Sequence, residues 1–181
     1  MWFGAESLGE KSVVPIAALV ILFVPYMKPV LAPVSWKSLS DKCEAGVCLQ
    51  STPSTCGPTS AVNVLHYFGR AASERELAKE SFTYKGGTEN WYMARAMRRR
   101  GMRVRVVADG DLRSVATPAI AGVILKGGAG HFIAILGKNG EQFTVIDPLV
   151  GRLQLDVSEL NSRYRFTGFY MVVSEAGRAG S

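Results

Sequence analysis

The stretch Leu49–Gly69, LQSTPSTCGPTSAVNVLHYFG, constrains the fold more than any other part of the chain. It places a thiol, Cys56, where a loop gives way to a helix, because Ser54 or Thr55 suits the N-cap position and Gly69 is a typical helix stop. A helix start gathers unpaired N–H groups and the positive end of the helix dipole. A thiol in that position ionises more readily and acts as a nucleophile.

A nucleophilic thiol needs a base, and the chain has two histidines. His66 lies on the same predicted helix as Cys56, but about 15 Å further along its axis, which is too far to touch the thiol. His131 opens a short apolar run, HFIAIL, that indicates a strand. A second strand, QFTVID, follows after the turn GKNGE. His131 is therefore the better candidate for the base.

The hairpin made by these two strands brings a carboxylate to the histidine. If the hairpin is centred on Asn139, His131 lies directly opposite Asp147, with the two Cβ atoms about 4.5–5.5 Å apart on one face. A carboxylate in that position fixes the tautomer of an imidazole. A register slip of one residue would separate the two side chains, so the pairing is a hypothesis.

In this order and spacing the motifs carry a resemblance. Cys56 in STCGPTSAVNVLHYFG, His131 in GHFIAIL and Asp147 in IDPLVG resemble the double-glycine leader peptidases. These are bacteriocin-processing, papain-like cysteine peptidase domains, found at the front of exporting ABC transporters and as stand-alone proteins. The resemblance covers roughly residues 49–173, where GGTENWYMARAMRRRGMRVRVV is similar to the family's middle helix and following strand. It implies a papain-like α+β fold, with N-terminal helices packed on an antiparallel sheet.

The resemblance also implies roles for four residues. Cys56 is expected to be the nucleophile, His131 the general base and acid, and Asp147 the group that orients the histidine. Gln50, six residues before the cysteine, matches the glutamine that helps to form the family's oxyanion hole. The implied reaction is cleavage of a leader peptide after a Gly-Gly-type pair of small residues, without a cofactor. A cleft that admits only glycine would give that preference, and Gly127, Gly128 and Gly130 are candidates for its rim.

Other functions remain open at this point. A catalytically silent peptide-binding domain would keep the cleft without acylation, and a thiol-dependent acyltransferase or amidase would use the same triad with another acceptor. A metal site made of Cys43, Cys48, Cys56 and His131 is a further alternative. Cys43 and Cys48 are either free thiols or a small disulfide loop, and a disulfide would persist outside the cytosol.

The N-terminal region is apolar. Val13–Met27, VVPIAALVILFVPYM, carries no charge, and the apolar character continues past Lys28 to Trp36. We expect residues 13–36 to be an uncleaved hydrophobic anchor with a single span rather than a cleaved signal or a buried soluble helix. The lysines that follow favour a cytoplasmic domain. The two cysteines and the signal-like N-terminus favour the extracytoplasmic, periplasmic face, which is the prediction.

Helix patterns precede strand patterns along the chain, which indicates an α+β domain. A capping box at Ser73 predicts a helix through Lys79, and Thr88 is the predicted cap of a third helix that ends at Gly101. Strands are expected from Met102 to Val106 and at Ile120–Leu125, His131–Leu136, Gln142–Ile146, Arg152–Leu155 and Phe169–Val173. The expected divisions are a tail (1–12), the anchor or signal segment (13–36), a linker (37–48), the peptidase domain (49–174) and a C-terminal tail (175–181).

The net charge of +6 arises largely from one arginine cluster. The cluster comprises Arg95, Arg98, Arg99, Arg100, Arg103 and Arg105. It is interpreted as a solvated helix–strand face, which can attract an acidic peptide or anionic lipid. No motif indicates nucleic-acid binding, and no phosphate-binding loop indicates an ATPase within the chain. An exporter, if one takes part, is expected to be a separate protein.

Overall fold

Helices from the first half of the chain pack on an antiparallel sheet formed by the second half. The structure is a computed structural model that describes residues 23–24 and 26–177. The helices are α1 (23–24 and 26–31), α2 (Cys56–Tyr67), α3 (Glu74–Glu80), α4 (Asn90–Arg99) and α5 (Val157–Arg163), with a 3-10 turn at Trp36–Ser38. The α+β fold expected from the sequence is confirmed.

The described residues form eight strands in two sheets. They are β1 (Cys43–Glu44), β2 (Val47–Cys48), β3 (Met102–Val107), β4 (Ala119–Ile124), β5 (Gly130–Asn139), β6 (Gln142–Asp147), β7 (Gly151–Leu155) and β8 (Arg165–Glu175). The first two make a small hairpin, and the other six make one sheet in the order β3-β8-β4-β5-β6-β7. Every neighbouring pair is antiparallel. The central strand pair β4–β5 carries His131 at one end.

The sheet separates two hydrophobic cores because successive side chains of a strand point to opposite faces. One face packs against α2, α3 and α4 through residues such as Ile120, Ala134 and Met171. The other face packs against α5 and the 107–115 segment through residues such as Ile133 and Tyr170. Burial on both faces explains why the strands in the middle of the sheet are almost wholly apolar in sequence.

Helix α2 runs through the first of these cores and is buried from Cys56 to Leu65. Its N-cap residue, Thr55, makes no capping hydrogen bond with its side chain, because its Oγ1 donates to the Thr52 carbonyl at 2.9 Å. Gly57 lets the first turn approach its neighbours, since a Cβ there would lie 3.3 Å from the sulfur of Met93 and 3.4 Å from the ring of Phe132. Packing against α4 and β5 therefore fixes the start of the helix.

Two helix predictions are confirmed in part, and one helix was not predicted. The capping box of Ser73 and Glu76 is present at the start of α3. Helix α4 begins at Asn90 after Glu89 rather than after Thr88. The Thr88 hydroxyl lies 2.6 Å from that of Thr83 and is thereby used within the preceding loop. Helix α5 also carries a capping box, formed by Asp156 and Glu159.

The predicted register of the His131 hairpin is wrong. Ala134 pairs with Ile146, and a bulge at Leu136 shifts the pairs nearer the turn, so the hairpin is not centred on Asn139. If this register is continued along the strands, the β5 position opposite Asp147 lies two residues from His131. Because side chains alternate with a period of two, the two residues still share a face as diagonal neighbours.

The segment before the cysteine loop carries structure of its own. Residues 37–48, expected to be a linker, contain the β1–β2 hairpin and bury Leu39. Residues 13–22 and 25 of the expected anchor, and the tail from 178 on, lie outside the described residues. Within the described part of the chain, no helix has the length and apolar character needed to span a membrane.

Candidate active site

A cleft of about 290 Å³ lies between the start of α2, the β4–β5 strand pair and the loop before α4. Cys56 and His131 both line it, which brings together the predicted nucleophile and base. The two residues come from different halves of the fold, so the cleft exists only when the helices have packed on the sheet. The Ser60 hydroxyl strengthens this junction by donating to the carbonyl of Phe132, next to His131, at 3.0 Å.

Cys56 is a buried free thiol, 7% exposed, at the first position of α2. Its backbone N–H belongs to the first turn of the helix, where N–H groups have no acceptor within the helix. The loop in front of it is tied to the opposite wall of the cleft, because Gly86 N–H donates to Ser54 Oγ at 3.1 Å. The thiol therefore stands beside backbone donors at the base of the cleft.

His131 and Asp147 form a buried ion pair. The Nε2–H of His131 donates to Asp147 Oδ1 at 2.8 Å, and both side chains are 3% exposed. The Leu149 N–H donates to the same carboxylate oxygen at 2.9 Å. With Nε2 engaged, Nδ1 is the ring nitrogen left to exchange a proton with Cys56.

The surroundings of the pair shift both pKa values so that the charged forms of His131 and Asp147 are favoured. Burial lowers the pKa of His131, but the hydrogen bond to Asp147 and the neighbouring Cys56 side chain outweigh it and raise the pKa to about 9. Burial raises the pKa of Asp147, but hydrogen bonds from His131, Tyr164 and the Leu149 N–H outweigh it and hold the pKa below its usual value. Both groups are therefore charged at neutral pH.

Tyr164 is a member of this network that the sequence analysis missed. Its hydroxyl donates to Asp147 Oδ2 at 2.6 Å and accepts a hydrogen bond from Arg163 Nε at 3.1 Å. Burial and the Asp147 carboxylate raise the pKa of Tyr164, so the hydroxyl remains a donor. No motif surrounds this tyrosine in the sequence. The capping-box residues Asp156 and Glu159 are the sequence signal for the start of α5, the helix that Tyr164 follows.

Gln50 lies beside the histidine, in an adjoining cavity of about 280 Å³ that also contains Gly130 and His131. Its backbone N–H donates to the Pro148 carbonyl at 2.9 Å, which ties it to the segment after Asp147. One N–H of its side-chain amide donates to the Thr52 carbonyl at 2.8 Å, and its Oε1 is buried and meets no hydrogen-bond partner in the part of the chain that the structure describes. The amide has a second N–H, which is the donor available to a ligand.

A buried glutamate fixes the residue after Gln50. Glu74, 1% exposed, accepts hydrogen bonds from the Ser51 N–H at 2.7 Å and from the Ser51 hydroxyl at 2.5 Å. The same hydroxyl lies 2.9 Å from that of Ser40. Helix α3 thereby holds the loop that leads to Cys56.

Glycines line the cleft on two sides, and of the three that the sequence suggested Gly130 is among them. Gly130 lines the cleft, whereas Gly127 and Gly128 form the β4–β5 turn outside it. On the opposite wall Gly86 and Gly87 line the cleft with φ angles of +121° and +132°, which favour glycine. Small residues therefore face each other across the entrance.

His66 and the other two cysteines lie elsewhere. Cys43 and Cys48 are joined by a disulfide bond, and Nδ1 of His66 lies 3.6 Å from Cys48 Sγ. Among the described residues, the group with metal-ligating geometry contains these three and neither Cys56 nor His131. The four-residue metal site considered from the sequence is therefore not formed, because α2 separates its two halves.

Three of the six clustered arginines make contacts within the molecule. Arg95 lies over the rings of Phe82 and Tyr92. Arg98 donates to the Val104 carbonyl at 2.9 Å. Arg100 pairs with Glu80 at 2.7 Å. These contacts fix α4 against its neighbours, in keeping with a helix–strand face.

The sequence of this chain is similar to those of known proteins. Residues 44–177 match the sequence model of the Peptidase C39 family. An uncharacterized protein of Methanothermobacter thermautotrophicus is 30% identical over 127 residues, which cover 70% of this chain and 87% of that protein.

Solved structures show the same fold. The peptidase domain of Streptococcus ComA, a bi-functional ABC transporter involved in quorum sensing, superposes with a TM-score of 0.62 at 22% identity, covering 71% of this chain and 97% of that domain. A double glycine motif protease from an AMS/PCAT transporter, solved in complex with a leader peptide, gives a TM-score of 0.57 at 18% identity, covering 71% and 89%.

Proposed function

The chain belongs to the peptidase C39 family, and from this premise we propose that it is a cysteine endopeptidase that cleaves leader-type peptides after a pair of small residues, typically Gly-Gly. The observation that carries the proposal is the buried His131–Asp147 ion pair next to Cys56 in a cleft. A buried charged pair costs desolvation free energy, so its position beside a free thiol favours a chemical role.

The first half of the proposed reaction forms an acyl-enzyme. Because His131 is already an imidazolium, Cys56 acts as the thiolate of a thiolate–imidazolium pair and attacks the carbonyl carbon of the scissile bond. The imidazolium then protonates the leaving amine. Asp147 accepts the Nε2–H throughout, which keeps Nδ1 directed to the thiol and stabilises the charged imidazole. In the second half, the now neutral His131 takes a proton from water, which attacks the thioester carbon, and the Cys56 thiolate leaves, so that the imidazolium–thiolate pair is restored.

The oxyanion of each tetrahedral intermediate needs donors. We assign this role to the backbone N–H of Cys56 and to the second N–H of the Gln50 amide. One such donor is commonly worth about 2.7–4 kcal/mol of transition-state stabilisation. Gln50→Ala is therefore expected to lower kcat by about 100- to 1,000-fold.

The preference for small residues follows from the two glycine walls. Gly130 on one side and Gly86 and Gly87 on the other leave room for an extended backbone without side chains at the cleavage site. We therefore expect a peptide with Gly-Gly at the cleavage site to be preferred over one with a branched side chain there.

A cleavage assay on synthetic peptides tests the proposal. The full chain is incubated with a leader-type peptide containing Gly-Gly and with a matched peptide in which valine replaces the second glycine, and mass spectrometry locates the cut. We expect cleavage after the glycine pair of the first peptide alone. Cys56→Ala and His131→Ala should abolish it, whereas His66→Ala should retain most activity as the matched histidine control.

The alternatives give different results in the same assay. Persistent cleavage in Cys56→Ala, or a greater loss in folded His66→Ala than in His131→Ala, contradicts the proposed triad. A peptide that protects Cys56 from iodoacetamide without being cut indicates a binding domain. Transfer of the acyl group to an added amine in preference to water indicates an acyltransferase.

The cellular setting is part of the proposal. Lys28 and Ala32, within the expected anchor 13–36, contact the peptidase domain and are therefore not part of a membrane span. We propose that the apolar run ahead of them is a single-span anchor, that the peptidase domain lies on the periplasmic face and that a separate exporter receives the cleaved peptide. The support is the uncharged run Val13–Met27 and the oxidised pair Cys43 and Cys48. Reporters fused after Ser181, one active only outside the cytosol and one only inside, give the test. A signal from the cytosolic reporter alone contradicts the periplasmic placement.

A further inference from the structure

Cys43, Cys48 and His66 form a second cluster of reactive side chains, at the end of α2 remote from Cys56. The two sulfur atoms and an imidazole nitrogen lie within 4.8 Å of one another, with Cys43 exposed and Cys48 buried. Nδ1 of His66 is 3.6 Å from Cys48 Sγ. The proposed peptidase reaction uses none of these three residues.

The hydrogen bonding of His66 presents a lone pair to the sulfurs. Nε2 lies 2.9 Å from the carbonyl oxygen of Ala72, and because a carbonyl only accepts, Nε2 carries the proton. In the neutral ring, Nδ1 is then unprotonated and faces Cys48. Metal-ligating histidines typically have this arrangement, in which the second nitrogen donates to a carbonyl and fixes the tautomer.

The backbone around the cysteines is fixed as well. Ala45 and Gly46 form the turn of the β1–β2 hairpin, with φ angles of +47° and +76°, and set Cys43 directly opposite Cys48. Asn63, 1% exposed, holds Cys48 from both sides, since its Oδ1 accepts from the Cys48 N–H at 2.8 Å and its Nδ2 donates to the Cys48 carbonyl at 3.0 Å. Both sulfurs are therefore presented to His66 by backbone that reduction of the disulfide leaves anchored.

We propose that, when the disulfide is reduced, Cys43, Cys48 and His66 bind one thiophilic divalent cation of the zinc class. Two thiolates and a neutral imidazole are ligands that zinc prefers, and the C-x4-C spacing lies within the range found in zinc sites. Water fills the fourth tetrahedral position. An adjoining cavity of about 340 Å³, lined by His66, Asn63 and Gly46, gives solvent access to it.

The disulfide and the metal are alternative states of the same two sulfur atoms. A phosphine reductant gives two electrons to the disulfide and becomes a phosphine oxide with oxygen from water, while the sulfurs take up two protons. Binding of the cation then releases these two protons. In the oxidised state the disulfide closes the β1–β2 hairpin on itself, whereas in the metal-bound state the cation also joins the hairpin to His66 on α2.

A cobalt titration of the full chain tests the site. The background is Cys56→Ser, so that Cys43 and Cys48 are its sole thiols. After reduction with a phosphine and removal of oxygen, Co²⁺ is added, and we expect sulfur-to-cobalt charge-transfer absorption that saturates at one ion per chain. Zn²⁺ should displace the cobalt, and the unreduced protein should show no band.

Matched variants in the same background separate the site from adventitious binding. His66→Ala should weaken Co²⁺ binding by more than about tenfold, since even outer-shell partners of a metal ligand are worth about 10–100-fold. His131→Ala, which changes the other histidine, should bind as the parent does. Cys43→Ser alters an exposed position and should lose about half of the charge-transfer intensity, with circular dichroism confirming that the fold persists.

Two results overturn the proposal. One is the absence of a charge-transfer band in the reduced, folded parent, and the other is a His66→Ala titration that superimposes on that of the parent. Neither result bears on peptide cleavage, because the test is spectroscopic and made without Cys56. The metal proposal and the peptidase proposal therefore succeed or fail separately.

Discussion

At the scale of single residues, the charge on His131 is the property with the clearest consequence. Its pKa in the folded protein is about 9, against an ordinary value of 6.5. Because the folded value is the higher one, the stabilisation from the charged pair is fully present below pH 6.5 and is lost as the pH rises through 9.

The titration of His131 is therefore the first prediction. Side-chain NMR should show His131 titrating near pH 9, and the free energy of unfolding should fall across the same range. Cys56→Ala removes a neighbouring side chain that raises this pKa, so the midpoint should move to lower pH. A midpoint near 6.5 in the intact protein would contradict the ion pair.

Tyr164 gives the second prediction. Tyr164→Phe leaves Asp147 Oδ2 buried without its donor, which should cost about 1–3 kcal/mol of stability at neutral pH. The pKa of Asp147 is lowered from 3.8, so its stabilisation is present above that value and is lost as the pH falls through the lowered pKa. Losing Tyr164 should raise this pKa, and acid unfolding should begin at a higher pH.

Tyr170→Phe is the matched control for this substitution. Tyr170 is buried to a similar degree, but its hydroxyl has no hydrogen-bond partner among the described residues. Its removal should leave acid unfolding unchanged and should not destabilise the protein. Urea unfolding of both variants between acid and neutral pH makes the comparison, and equal shifts would show that the Asp147 contact is not the cause.

The sequence could place Cys56, His131, Asp147 and Gln50 near one another because each stands in a recognisable motif. Their proposed roles stay predictions. Tyr164 could not be foreseen, since a tyrosine at a helix end carries no spacing signal, and its contact depends on how α5 folds back on the sheet. The same holds for Glu74, whose partner Ser51 is distant in sequence and reached through packing alone.

At the scale of secondary-structure elements, α2 is the helix that joins the six-stranded sheet to the β1–β2 hairpin. Its start lies against β5 through Ser60 and its middle against β2 through Asn63. Asn63 and Ser60 bond to backbone groups rather than to side chains, so the contacts depend on the path of the partner strands. A helix prediction from periodicity identifies the buried face but not these partners.

The third prediction concerns the close approach at the start of α2. Gly57→Ala brings a Cβ to 3.3 Å from the sulfur of Met93 and 3.4 Å from the Phe132 ring, which is tighter than ordinary contact. Overpacking of this kind typically costs about 1–3 kcal/mol. Gly137→Ala adds the same methyl group where nothing lies within 4 Å and serves as the control. Thermal unfolding should show a lower Tm for the Gly57 variant alone.

The hairpin of β5 and β6 shows why the register was harder to predict than the contact. Hydrophobic alternation fixes which face a residue occupies, and that part of the prediction is confirmed for His131 and Asp147. The bulge at Leu136 adds a residue to one strand, and no pattern in the local sequence predicts it. An error of two residues in register preserves the face, and the pair therefore still meets.

At the scale of the whole molecule, the cleft is assembled from three distant parts of the chain. The helical half supplies Cys56, the sheet supplies His131, and the loop between them supplies Tyr84 to Gly87. The N-terminal stretch that contains Ala32 holds the loop from Tyr84 to Gly87 from outside, because the Lys85 N–H donates to the Ala32 carbonyl at 2.7 Å. The apolar composition of this N-terminal stretch predicts an anchor, and no motif in the sequence indicates the contact between Lys85 and Ala32.

Lys28 is the side chain that couples this stretch to the cleft, and it gives the last prediction. Its Nζ donates to Glu89 Oε1 at 2.8 Å, and the hydroxyl of Tyr84, which lines the cleft, donates to the same oxygen at 3.0 Å. Lys28→Ala removes one of the two donors to the Glu89 oxygen that holds Tyr84, without touching Cys56. Because an exposed ion pair is worth about 0.2–1 kcal/mol, KM for a Gly-Gly peptide should rise by up to about fivefold at unchanged kcat. Lys37→Ala, in the same stretch, should change neither constant, and a fall in kcat at constant KM in Lys28→Ala would mean that the contact acts on the chemistry rather than on the fit of the peptide.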